Sequence, residues 1–187
     1  YHRDLARSYG HLGDAQLRLG DDRGAEDSYD DARRLRQRLA EAPGASDEDK
    51  CLHARDPGNF AQLAEWRGGP DNERVAIGHH RDRLQLYCRG GFGADRPLPD
   101  QFCVERVNTH LRLAQVLLDQ RQPSGESLAE AERSLTAARE ECRLLLDNVG
   151  SKGMPSGKVR PELMSSVAEA DLAWARYHLA WVEHHHS

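Results

Sequence analysis

Between residues 6 and 35 the chain reads ARSYGHLGDAQLRLGDDRGAEDSYDDARRL, and its small and large residues fall where two short antiparallel helices must touch. Tyr9, Leu12, Ala15 and Leu19 recur at helical spacing and predict one apolar stripe on a first helix, while Ala25, Tyr29 and Ala32 predict another on a second. Gly20-Asp21 lies between them as a helix-ending glycine followed by a capping acid. Gly13 and Ala25 are small because the two backbones approach closely where they cross, and the ring of Tyr29 fills the space beside them. Such a hairpin cannot bury its outer apolar face alone, so it predicts further hairpins stacked on it.

Weaker copies follow. A step of fifty-one residues takes Leu12-Gly13 to Leu63-Ala64, Ala25 to Ala76 and Tyr29 to His80, so residues 57–87 align with the first unit without a gap. This copy departs at His80 and Arg83, and Gly68-Gly69-Pro70 cuts its first helix short. A third copy has Leu113-Ala114 on its first helix and Ala131, Leu135 and Ala138 on its second, with a turn around Gln122-Pro123-Ser124-Gly125. A last amphipathic stretch from Pro161 to Glu183 puts Leu172-Ala173 at the equivalent position and has no second helix after it.

The first unit resembles a tetratricopeptide repeat (TPR), whose aromatic, Leu-Gly, small, aromatic and small positions stand here as Tyr9, Leu12-Gly13, Ala25, Tyr29 and Ala32. Gln16 replaces a usual aromatic and Gln37 the usual proline. The fifty-residue step is longer than the family's, which implies long second helices or extra linking segments. Arg3-Asp4-Leu5, Arg38-Leu39-Ala40 and Asp56-Pro57-Gly58-Asn59 look like phrases that recur in the long arrays of bacterial multidomain proteins, where the enzymatic module lies outside the repeats. The resemblance implies an all-α fold: antiparallel helix pairs stacked as a right-handed TPR-like α-solenoid. It covers residues 1–183 as one domain, with repeats near 3–42, 57–89 and 100–148. The helix at 161–183 is either a cap or half a repeat, and 184–187 is a tail or tag remnant.

Pattern and punctuation predict helices near 3–19, 21–42, 59–67, 72–89, 100–121, 126–148 and 161–183, with 47–55 either a loop or one more helical turn. Pro43 to Ser46, Gly90 to Gly93 and Gly150 to Gly157 are read as loops. The chain has 187 residues, enough for a core, and 30% of them are charged. No apolar run approaches the ~20 residues of a membrane span, and no signal peptide is visible. We therefore expect a cytoplasmic protein with no membrane partner. The start at Tyr1 without methionine is read as a piece of a larger protein. The use of Arg, with only Lys50, Lys152 and Lys158 as lysines, is read as the mark of a GC-rich bacterial genome.

Chemistry-bearing motifs are weak. Cys51, Cys88, Cys103 and Cys142 form no Cys-x-x-Cys pair and are read as buried thiols. A metal site could draw on Cys51, His53, His79, His80 and Cys88, but zinc sites favour close paired spacings, so no metal and no cofactor is expected. His184-His185-His186 is set aside as a tail. Gly153 to Lys158 fails as a phosphate loop, because Lys152 stands where its first glycine belongs and Val159 where Ser or Thr would bind magnesium. No nucleophile and base sit on a recognised motif, so no catalytic residue is assigned. A formal charge of −5 without a basic stripe argues against nucleic acid. Arg33, Arg34, Arg36 and Arg38 are read as a solvated face.

What remains is a binding surface. The resemblance implies that first helices line a concave groove holding a peptide or partner helix. Its residues would be Arg7, Gly10, Asp14 and Leu17, then Ala61 and Glu65, then Asn108, Leu111, Gln115 and Leu118, and in the last helix Val167, Ala170, Trp174 and Tyr177. Trp174 and Tyr177 stand out as aromatic anchors. Modules of this family that grip chaperone tails use Lys and Asn where this chain has Gly10 and Asp14, so that role is not expected. The reading is a protein-interaction or regulatory scaffold without catalysis. Homo-oligomerisation is the first alternative, and a metal-binding or enzymatic helical domain the second.

Overall fold

A computed structural model describes residues 1–89 and 98–152 and the single positions 169, 174 and 177. Among these residues there are seven α-helices and no strands: α1 (His2–Arg18), α2 (Asp22–Glu41), α3 (Asp47–His53), α4 (Asp56–Arg67), α5 (Pro70–Arg89), α6 (Asp100–Leu118) and α7 (Gly125–Lys152). The chain divides into two compact units, Tyr1–Arg96 and Pro97–Ser187. In the first, α1 pairs with α2 and α4 with α5, while α2 also touches α3 and α4. In the second, α6 pairs with α7.

The helix boundaries follow local chemistry. Gly20 takes a positive φ of 79°, and Asp21 caps α2 by accepting from the Gly24 amide at 3.0 Å. Without a proline at 37, α2 continues to Glu41. The ambiguous 47–55 stretch is α3, opened by a reciprocal capping box between Ser46 and Asp49. A long second helix and an extra linking helix thus both fill the long step between copies. Pro57 lies in the first turn of α4, which therefore starts at Asp56, earlier than the expected 59. That helix ends at Gly68-Gly69, where φ is 64° and 84°. The expected turn at 122–125 falls between α6 and α7, and α7 continues to Lys152, past the expected end at 148.

The crossing of α1 and α2 has the expected basis with a different stripe. A Cβ on Gly13 would lie 2.5 Å from Cε1 of Tyr29, so the glycine is what admits the ring. The buried residues of α1 are Ala6, Gly10, Gly13 and Leu17. Leu12 is 48% exposed, Leu19 85%, and Ala15 also faces outward, so the predicted stripe through Tyr9, Leu12, Ala15 and Leu19 is corrected. Close approach selects the smallest residues for the contact line, and the leucines are left beside it. Gln16, at the family's aromatic position, meets the Ser28 hydroxyl at 2.6 Å.

The internal repeat is visible in contacts. Tyr29 donates its hydroxyl to Asp14 Oδ1 at 2.9 Å, and fifty-one residues on His80 meets Glu65 Oε1 at 2.7 Å. Both rings are buried, and Ala25 and Ala76 beside them are fully so. Arg83, where the first unit has Ala32, lays its guanidinium against Gly58, whose Cβ position would be 2.6 Å from Nη1. The core of the first unit joins both hairpins, with Leu17, Ala25 and Tyr29 packed on Leu63 and Phe60. In the second unit Ala131, Leu135 and Ala138 are fully buried on α7, as Ala25, Tyr29 and Ala32 are on α2. Arg106 and Glu141 form an ion pair between α6 and α7. Cys51 and Cys142 are buried as expected, Cys103 is partly so, and Cys88 is exposed, which corrects the reading of all four as buried. No helix of the described residues is long and apolar enough to cross a membrane.

His110, on α6, carries a pH-dependent stability. Burial first, and repulsion from Arg106 second, lower its pKa from 6.5 to about 4. The unfolded imidazole takes a proton near 6.5 and the folded one only near 4, so between these values the unfolded chain binds more protons and stability rises with pH. The contribution is complete above 6.5 and is lost as pH falls towards 4, up to roughly 3 kcal/mol. Urea midpoints should therefore rise more steeply from pH 4 to pH 7 for the native chain than for His110→Phe. Parallel curves would refute the assignment.

Candidate functional site

The residues expected to line a groove separate into three groups. Leu17 at 2% exposure and Leu111 at 6% belong to the core, as do Gly10 and Ala61, which corrects their placement on a groove. All four are buried, so their side of the helix faces the protein interior. Asp14 and Glu65 are half-buried and hold the rings of Tyr29 and His80. Arg7 and Asn108 are exposed, while Leu118 and Gln115 are half-buried, the latter donating to Asp119 at 2.6 Å.

Trp174 and Tyr177 pack on α7, the alternative to presenting an open aromatic face. Tyr177 is 6% exposed and donates to Glu132 Oε2 at 3.0 Å, and Arg139 lies over the Trp174 ring at 5.5 Å. Desolvation and the Glu132 carboxylate raise the pKa of Tyr177. Both residues are helical, as the 161–183 expectation requires. The rest of that expectation, with Val167, Ala170, the 153–158 loop, Gly90 to Gly93 and the histidine tail, lies outside the described residues. Among the described residues no three His, Cys, Asp or Glu side chains converge as a metal would need.

A concavity in the first unit joins α1, α2 and α3. It is a small pocket of about 20 Å³ lined by Arg3, Arg7, Arg36, Leu39, Asp49, Leu52 and Arg55. Its walls are held by ion pairs. Arg3 grips Asp49 with two nitrogens at 2.6 and 2.7 Å, and Ser46 donates its amide and hydroxyl to the same carboxylate. These bonds, the Arg3 bond foremost, hold the Asp49 carboxyl below the usual carboxylate range. Arg36 is buried. It donates through Nη1 to Asp56 Oδ1 at 2.6 Å and through Nη2 to the Ala6 carbonyl at 3.2 Å. The other oxygen of Asp56 meets His53 Nδ1 at 3.0 Å. Arg36 is therefore no part of a solvated face, and that reading is corrected. A Cβ on Gly10 would stand 3.1 Å from Arg36 Nη2, which explains a glycine facing this guanidinium.

Arg7 alone of the lining arginines was picked out from sequence. Arg3, Arg36 and Arg55 are far apart along the chain and are gathered by α3, whose capping box was the available signal. No protein-family model matches the chain, and neither a curated protein nor a solved structure matches it.

Proposed function

We propose that the chain is a TPR-like helix-pair repeat module that serves as a protein-interaction or regulatory scaffold of a larger bacterial protein, with no catalytic centre of its own. The observation that carries this reading is the bond repeated at a fifty-one-residue step, Tyr29 to Asp14 and His80 to Glu65, each pinning a first helix to its second. Repeating hairpins of this kind present long faces and few enclosed cavities, which suits them to hold another polypeptide. A right-handed solenoid with its first helices on the concave side belongs to the same proposal.

The test is to capture partners on the purified chain, purify the one enriched, and titrate it against the native chain and against Asn108→Arg. A saturable complex, weakened about tenfold or more by this exposed substitution on α6, supports a partner face on the first helices. Binding that ignores the substitution refutes that face, and no saturable partner refutes the scaffold reading. A second reading, self-association, is favoured by the exposed row of Leu12 and Ala15 on α1 and Leu19 just past its end. It predicts a mass that rises with concentration and falls back to monomer in Leu12→Lys with Leu19→Lys.

A further inference from the structure

We propose that the arginine-lined pocket between α1, α2 and α3 is a binding site for a phosphoryl oxyanion, a free phosphate or one carried on another molecule. The inference stands on this pocket and is independent of the partner face on the first helices.

The lining sets four guanidinium groups, Arg3, Arg7, Arg36 and Arg55, against the single carboxylate of Asp49. Three of the nearby acids already have partners. Asp49 is taken by Arg3 and Ser46, Asp56 by Arg36 and His53, and Glu48 lies 3.4 Å from Arg3 Nη1. Arg7 is exposed and makes no hydrogen bond or ion pair with the described residues. Arg7 thus brings an unpaired guanidinium to the concavity.

Arginine offers five N–H donors in a planar fork, so Arg36 keeps donors beyond the two it uses towards Asp56 and Ala6. Its position is fixed by those two bonds, and that of Arg3 by its grip on Asp49. An arriving anion therefore meets donors that need no reordering. Leu39 and Leu52 supply apolar wall, which strengthens charge-assisted bonds by displacing water.

The size of the pocket decides among anions. About 20 Å³ is little more than the ~10–15 Å³ that admits one water, so it takes oxygens and leaves the body of the ligand at the mouth, beside Arg7. A planar carboxylate would present two oxygens. A phosphoryl group presents three, with a charge of about −1.5 to −2, and can reach into the pocket while still facing Arg7. The α3 helix that completes the site lies in the segment linking the two hairpins, so the pocket is a property of the long step between copies.

The experiment titrates the full chain with inorganic phosphate by calorimetry at constant ionic strength, with acetate and chloride as parallel probes. Phosphate should bind saturably, and about tenfold or more weaker in Arg7→Ala, the loss of one charge-assisted contact. Arg7 is exposed and partnerless, so circular dichroism of that variant should match the native chain. Arg7→Lys, which keeps the charge and loses the fork, should fall between the two. A phosphoserine peptide that binds more tightly than phosphate would place the group on a partner, and equal or weaker binding would indicate the free anion. Acetate or chloride binding as well as phosphate, or Arg7→Ala binding phosphate as the native chain does, overturns the proposal.

Discussion

Replacing Arg36 by alanine should destabilise the first unit by about 3–5 kcal/mol, the largest loss expected from any single charge in the described structure. The guanidinium is 8% exposed and the Asp56 residue that it meets 1%. Without it, a carboxylate at the start of α4 is left under the protein surface with only His53 at 3.0 Å, and the Ala6 carbonyl loses its side-chain donor. Asp56→Ala should cost a similar amount by stranding the arginine. The double replacement Arg36→Met with Asp56→Leu removes both charges and should recover much of the loss, because a buried pair gains little over well-packed apolar groups. Urea unfolding of the three variants measures this through the coupling term. Single losses under about 1 kcal/mol would mean a pair as weak as a surface one and would refute the buried bridge.

That bridge also shows where sequence reasoning stops. A run such as Arg33, Arg34, Arg36 and Arg38 reveals sign but not partner, and the partner of Arg36 lies twenty residues on, beyond a loop and a short helix. The pocket suffered in the same way: Arg7 could be chosen from its helix position, whereas Arg3, Arg36 and Arg55 meet only after α3 folds back on α2. The short α3 itself was marked by Ser46 and Asp49, a capping spacing readable in advance. Helix pairing was legible because it depends on residue size at fixed spacing, and Gly13, Ala25 and Tyr29 behave as that spacing requires. The phase of the α1 stripe was not. Spacings of three and four fit both Leu12 with Leu19 and Ala6 with Leu17, and bulk favoured the first set. The close approach of the backbones decided for the second.

The close approach makes the Tyr29 site the other place where a large effect is expected. Tyr29→Ala should cost about 3–5 kcal/mol, since the ring is fully buried and leaves a cavity between α1 and α2 when removed. It also meets Phe60 of α4 edge-on, with centroids 6.1 Å apart, so the loss reaches the second hairpin. Tyr29→Phe keeps that packing and gives up only the bond to Asp14, which is half-buried and can turn to water, for about 1 kcal/mol. Burial first, and then the hydrogen bond to the Asp14 carboxylate, raise the Tyr29 pKa. Gly13→Ala tests the same contact from the other helix. On an ordinary helix the change stabilises by roughly 0.5–1 kcal/mol. Here the added methyl falls 2.5 and 2.6 Å from ring carbons, so it should destabilise by about 1–3 kcal/mol instead. In a Tyr29→Leu background the same methyl has no ring to meet, and its penalty should largely vanish. Thermal or urea unfolding of the four proteins gives the coupling between the two positions. A Gly13→Ala chain more stable than the native one would show that α1 and α2 do not approach as closely as this packing requires.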